Sequence, residues 1–243
     1  MNLEYFANPL RMQKLSKIML PYMILGMLIC FTIGFYYGLF NSPPDYQQKE
    51  TVRIMYIHVP AAWFSLGIFL SMGICSFFVL WRKHHVAHIA SYAMAPVGMI
   101  FSIICLVTGS LWGRPTWGTY WIWDARLTSM LILFFLYVAY LLLPAFCKKT
   151  DLLMKVAAIF CLVGVIDIPI IKFSVEWWNT LHQGPSVIKS GGPSIHHAML
   201  TPLLWMAAGY AHLAGMLILL GIRTRLYQQK IDRMIYKKIR NYT

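Results

Sequence analysis

Residues Val59–Trp81 read VPAAWFSLGIFLSMGICSFFVLW, a run without a single charged side chain. A helix needs about 20 mostly apolar residues to cross the hydrocarbon core of a bilayer, and this run supplies them. Pro60 falls in its first turn, where a missing backbone N–H costs nothing. Working outward, five more stretches qualify, at about 18–40, 92–111, 128–147, 152–171 and 203–221. The composition agrees. Of the 243 residues, 59% are hydrophobic and 12% charged, against about 25% charged in a soluble domain, and mean hydropathy is +0.60. A soluble enzyme is excluded, and 15% aromatic residues exclude a disordered chain. The expected fold is an all-α membrane protein with six transmembrane helices, one polytopic domain over residues 1–243.

The net charge of +13 would suggest nucleic acid in a soluble protein, but its distribution gives another reading. Fifteen of the 21 Lys and Arg residues lie in the two terminal tails and in the second and fourth connections. The other six are Lys49, Arg53, Arg114, Arg126, Lys172 and Lys189. The positive-inside rule puts both termini in the cytoplasm and loops one, three and five outside, with no nucleic-acid partner. The basic tail from Arg223 to Arg240 reads as a stop-transfer anchor, with anionic lipid as its second reading. No two of the five cysteines form a C-x-x-C pair, so neither thiol-redox nor zinc chemistry is indicated. No phosphate-cradling glycine motif occurs, so nucleotide-driven work would need another subunit. Gly34 and Gly38 in span one, and Ala207, Ala211 and Gly215 in span six, suit close helix packing.

The expected outer face carries the chemistry. Trp112, Trp117, Trp121, Trp123, Trp177 and Trp178 lie in outer loops, and only Trp81 lies on the inner side. Aromatic belts normally form at both interfaces, so this asymmetry exceeds a belt. Gly113 and Pro115 predict a folded loop over 112–128 whose indoles wall a flat, hydrophobic ligand. Arg114 and Arg126 suit carboxylates at that ligand's edge, and Asp124 would orient an indole N–H or an arginine. A planar apolar molecule with acidic groups describes haem, whose iron takes histidine most often. His58 and His182 flank the outer loops and are the first candidates, with His196 and His197 next. Phe173, Trp177 and Leu181, spaced by four, predict a short interfacial helix that puts Trp178 and His182 on one stripe. His84, His85 and His88 read as a solvated loop. His212 reads as a neutral imidazole bonded to another helix, and Asp167 as a carboxylate satisfied by Lys172 or water.

The string W-G-x-x-W-x-W-D at Trp117–Asp124, continuing Ala125-Arg126-Leu127-Thr128-Ser129, resembles the signature of the tryptophan-rich haem-handling proteins of cytochrome c biogenesis. Within that superfamily the chain is similar to the haem exporter C family of the cytochrome c maturation system. The likeness extends to Pro44-Asp45-Tyr46-Gln47-Gln48, to Tyr56–Ala62 and to Ser174–Gly184. The resemblance implies haem b, non-covalently bound and in transit, with His58 and His182 as axial ligands. It implies a platform of Trp112, Trp117, Trp121, Trp123, Asp124 and Trp178, with Arg53 and Arg126 on the propionate side. The implied partners are a periplasmic haem chaperone, a small single-span subunit and an ATP-binding cassette pair, besides membrane lipid. The implied location is the bacterial inner membrane, or the mitochondrial inner membrane in an organelle. The expected function is haem transfer to the chaperone rather than classical catalysis. A through-membrane haem transporter is the first alternative, but intramembrane polar residues, which mark such paths, are few. A haem redox enzyme is the second, and would want its ligands within the helices.

Overall fold

In the computed structural model, residues 8–147, 149–178, 180–182, 184, 186–187, 189 and 191–240 are described. Lys148, Asn179, Gln183 and Pro185 lie outside them. Among the described residues there are α1 (Pro9–Tyr36), α2 (Met55–Arg82), α3 (His85–Trp117), α4 (Ala125–Phe146), α5 (Thr150–Gly164), α6 (Asp167–Trp177) and α7 (His197–Arg240), and no strand. A π turn, Tyr37–Asn41, continues α1, and a 3-10 turn, Glu50–Ile54, leads into α2. Six segments are long and apolar enough to span a membrane, with mean hydropathy between 1.8 and 2.3. α5 and α6 together make the fifth. Leu25, Phe77, Val107, Phe135 and Val163 are exposed along these spans. Such a surface is untenable in water and ordinary in hydrocarbon.

Hydrocarbon is as apolar as leucine, so close packing and polar ties, not apolar burial, hold the helices together. Phe69, Met72, Phe101, Leu133, Tyr137 and Met206 are each under 2% exposed. The Tyr137 hydroxyl donates to the Ser65 carbonyl at 2.7 Å, and the Ser65 and Ser102 hydroxyls meet at 2.6 Å. Those two bonds join α2, α3 and α4. Between α1 and α7 the small residues do the work: Gly34 faces Met206, and Gly209 faces the Phe31 ring. The expected stripe of Ala207, Ala211 and Gly215 is not the main seam, since Ala211 is exposed. The buried residues of α7 run Pro202, Leu203, Met206, Gly209, Tyr210 and Ala214, a helical period displaced from the one read in sequence. His212 also departs from expectation. Its Nδ1 lies 2.8 Å from the Ala208 carbonyl of its own helix, and its ring lodges against Gly26.

Three local features shape the outer end. First, α3 runs through Gly113 and Pro115 to Trp117, so the loop read over 112–128 shrinks to residues 118–124. Near the end of a 33-residue helix, proline forfeits one backbone bond and little else. Gly118, in the left-handed region at φ 79°, closes the helix by donating to the Arg114 carbonyl at 3.0 Å. Second, the fifth span breaks at residues 165–166. Pro169 lacks the N–H that would bond the Val165 carbonyl, which accepts a tighter bond from Ile168 at 3.1 Å instead. Asp167, 7% exposed, begins α6 at this break, and its Oδ2 has no partner among the described residues. Lys172 is exposed and does not serve it. Third, α6 ends at Trp177, and Trp178 is extended, so no helix carries Leu181 and His182. Thr180 Oγ1 accepts the His182 N–H at 3.2 Å, a local bond that competes with helix continuation.

Candidate functional site

The start of α2, the end of α3, the start of α4 and the end of α6 lie at one end of the bundle, and two imidazoles are set there by different devices. His58, in the first turn of α2, leans on α3. Its Nδ1 lies 3.1 Å from the Cys105 carbonyl and 3.1 Å from Thr108 Oγ1. A carbonyl only accepts, so Nδ1 carries the proton and Nε2 keeps its lone pair. The Trp112 ring stands edge-on to His58 with centroids 5.6 Å apart. Trp112 is aimed in turn by Gln48, whose Oε1 accepts its indole N–H at 3.0 Å. Gln48 is placed by an Asx turn: Asp45 Oδ1 accepts from the Gln47 and Gln48 amides at 2.9 and 2.8 Å.

His182 has no helix to hold it, and a carboxylate does so instead. Its Nδ1 lies 2.8 Å from Asp124 Oδ2. The other oxygen of Asp124 accepts the Leu127 amide at 2.8 Å, which makes the same residue the N-cap of α4. A carboxylate that accepts from Nδ1 fixes the tautomer with Nε2 free, the arrangement that orients histidines toward metals. Burial pushes the His182 imidazole below its ordinary value, and Asp124 opposes that shift in part. A histidine shifted downward is neutral at pH 7 and keeps its lone pair. The Trp117 ring stands against it, centroids 4.7 Å apart.

Arg126, in the first turn of α4, ties the two halves together. Its Nε donates to Ser174 Oγ of α6 at 3.2 Å, and its positive charge works against protonation of His182. Trp121 lies beside Trp123, centroids 5.4 Å apart, and its Nε1 is buried with no partner among the described residues. The remaining sequence candidates stand apart from the imidazoles. Arg53 pairs with Glu50 at 2.6 Å and donates to the carbonyls of Gly38, Leu39 and Ser42, clamping the end of α1. Arg114 donates to the Gly118 carbonyl at 2.6 Å and stacks over Tyr120. Trp123 and Trp178 are exposed, as are His196 and His197. The Asp124 partner is the imidazole, not the indole or arginine expected from sequence. Gln48, Thr108, Ser174 and Gly109 were not singled out as site residues. Gln48 and Ser174 had a signal, because they close the Pro44–Gln48 motif and open the Ser174–Gly184 motif.

Gly109 decides how much room His58 has. A Cβ there would come within 2.9 Å of His58 Cε1, so the imidazole would have to swing. Gly109→Ala is therefore expected to separate two readouts. The melting temperature holds or rises, because alanine favours a helix by about 1 kcal/mol over glycine, while any ligation through His58 weakens. A lowered melting temperature with ligation intact would contradict this account.

Fold and site together define a multi-pass membrane protein with a tryptophan-walled pair of neutral imidazoles at one end of its helices. A family model described as Heme exporter protein C matches residues 2–237. Proteins of that name from Bradyrhizobium diazoefficiens and Escherichia coli are 45% and 43% identical to it, over 231 and 221 residues. Those alignments cover 95% and 91% of this chain, and 88% and 89% of the relatives. A cytochrome c biosynthesis ccmC-like mitochondrial protein from Marchantia polymorpha is 47% identical over 191 residues, 79% of this chain and 81% of that one. The chain belongs to the Heme exporter protein C family.

Proposed function

We propose that the protein holds haem b, non-covalently, at the outer face of a bacterial inner membrane and passes it to a periplasmic haem chaperone for cytochrome c biogenesis. The observation that carries this reading is the matched pair of imidazoles. Each has Nδ1 occupied, by a carbonyl in one case and a carboxylate in the other, and neither Nε2 has a hydrogen-bond partner among the described residues. That donor set suits a haem iron. The surroundings suit the rest of the molecule: Trp112 and Trp117 flank the two rings. The orphaned Trp121 N–H and the Arg126 guanidinium are donors for propionates, with Arg114 and Arg53 further out. The family's name supports haem as the cargo. The 15-to-6 distribution of basic residues supports the outer side for this end of the bundle.

The chain's own residues do three things in this reading. Asp124 and the Cys105 carbonyl orient the two imidazoles by accepting from Nδ1, and burial keeps His182 neutral. The indoles exclude water and stop the porphyrin from turning about the His–His axis. The arginines fix which edge faces the partner. An ATP-binding cassette pair and a small single-span subunit complete the assembly, with release driven outside this chain. A path through the bundle has little to mark it: His212 is bonded to its own helix, and Asp167 stands alone at the break of the fifth span, with one oxygen orphaned among the described residues.

The test is a paired measurement on Trp121→Ala: haem per purified protein, and covalent haem on a co-expressed chaperone. Haem is expected to be retained at a level near wild type while delivery falls about tenfold, an effect of about 1.4 kcal/mol. Normal delivery would reduce the tryptophans to an interfacial anchor.

A further inference from the structure

At the opposite end of the bundle, the first turns of α3 and the extension of α7 beyond its span enclose a cavity of about 170 Å³. Its lining is His88, Ile89, Tyr92, Arg225, Gln228 and Gln229. We propose that this cavity binds a phosphate group, with Arg225, His88 and the Gln229 amide as its donors. The site is separate from the paired imidazoles and does not depend on the haem reading.

The lining holds no carboxylate, and among the described residues none lies within ion-pair distance of Arg225. The nearest acid along α7, Asp232, accepts from the Gln228 amide at 3.0 Å. The Arg225 guanidinium stands 5.2 Å over the Tyr92 ring and makes one long bond, 3.4 Å, to the Tyr92 carbonyl. Most of its five donors are therefore uncommitted. Gln229 offers its Oε1 to His85 Nε2 at 3.1 Å, which turns its NH2 group away from that bond. His88 packs on Tyr92 with centroids 4.9 Å apart.

Packing forces these donors together. Ile89 and Ala93 of α3 interlock with Ile222 and Leu226 of α7 in a small buried cluster, so α7 cannot carry Arg225 elsewhere without opening that contact. The Arg225 charge, held there with no carboxylate in the lining, is matched by an anion. The depth indicates which anion. At the same end of the bundle Arg82 lies 4.5 Å over Trp81, and Arg223 lies 5.6 Å over Tyr227. Arginine and aromatic pairs of this kind belong at the headgroup level, where phosphates of anionic lipids collect. The volume accommodates a phosphate and excludes a porphyrin. The phosphate is either a lipid headgroup or free inorganic phosphate, and the recognising chemistry is the same.

Full-length protein, purified in detergent and delipidated, is titrated with phosphatidylglycerol and followed by native mass spectrometry. A parallel series adds inorganic phosphate as competitor. Arg225→Gln removes the charge, and Gln229→Glu keeps the acceptor for His85 while placing a carboxylate beside the cavity. Each is expected to weaken lipid retention about tenfold, the loss of one charge-assisted bond. Arg223→Gln, outside the cavity, is expected to leave it unchanged. Displacement by inorganic phosphate at low concentration assigns free phosphate as the ligand, and its absence assigns the lipid headgroup. Equal losses in Arg225→Gln and Arg223→Gln would show diffuse basic charge and overturn the site. An unchanged Gln229→Glu would overturn it as well, and that variant decides alone if Arg225→Gln does not fold.

Discussion

Replacing His58 or His182 by alanine is expected to convert bound haem from a six-coordinate low-spin form to a five-coordinate form, and the double variant is expected to purify with roughly background haem. Each imidazole presents one free Nε2, so each supplies one bond to iron and neither can cover for the other. The two variants should differ in degree. His58 sits within α2 against α3, and its removal leaves a hole beside Trp112. Added imidazole is expected to enter that hole and restore the low-spin band. His182 is held from a segment without helix, by Asp124 and the Thr180 hydroxyl, and rescue there should be weaker. Absorbance spectra with and without imidazole check both statements. A double variant with a wild-type spectrum would remove the pair from consideration and bring His196 or His197 forward.

Asp124 is expected to show the second large effect, and its two substitutions should separate two jobs. Asp124→Ala loses the α4 cap, costing about 0.5–2 kcal/mol, and loses the acceptor for His182. A partner of this kind typically carries 10- to 100-fold in metal affinity, and a loss of that size in haem affinity is expected. Asp124→Asn still caps with its one carbonyl oxygen, because asparagine is as good an N-cap as aspartate, but the amide NH2 that replaces Oδ2 only donates and cannot accept from Nδ1–H. It lacks both the second acceptor and the charge that makes the imidazole a stronger donor to ferric iron. The apo protein should therefore unfold close to wild type, while haem affinity falls about as far as in the alanine variant and the midpoint potential of the haem that remains rises. Thermal melts, haem titration and potentiometry on the two variants decide the matter. If Asn matched wild type in both affinity and potential, Asp124 would be a helix cap and nothing more.

The structure moves Asp124 from the outer wall of the site to its centre, and the reason is instructive. In sequence it is the last letter of a tryptophan motif, 58 positions from His182. No periodicity relates the two, because one begins α4 and the other lies beyond the end of α6. Stripe reasoning carried His182 onto a helix with Trp178, and that helix stops at Trp177. The ring His182 meets is Trp117, at the last turn of α3.

What the sequence by itself determined follows from local physics. Apolar runs of helical length can only be spans, and consecutive spans alternate in direction, which sets which ends lie together. Histidines, tryptophans and arginines at one set of ends then share one face, whatever the packing. Their pairing was settled by tertiary structure alone. The α3 carbonyl that takes the His58 proton, the α4 cap that takes the His182 proton and the Gly109 gap that admits the His58 ring all depend on which helices pack side by side. Helix adjacency in a bilayer is decided by small residues and single polar bonds such as Tyr137 to Ser65. These leave no period in the sequence, because each works once, against one neighbour, across a distance the chain does not record.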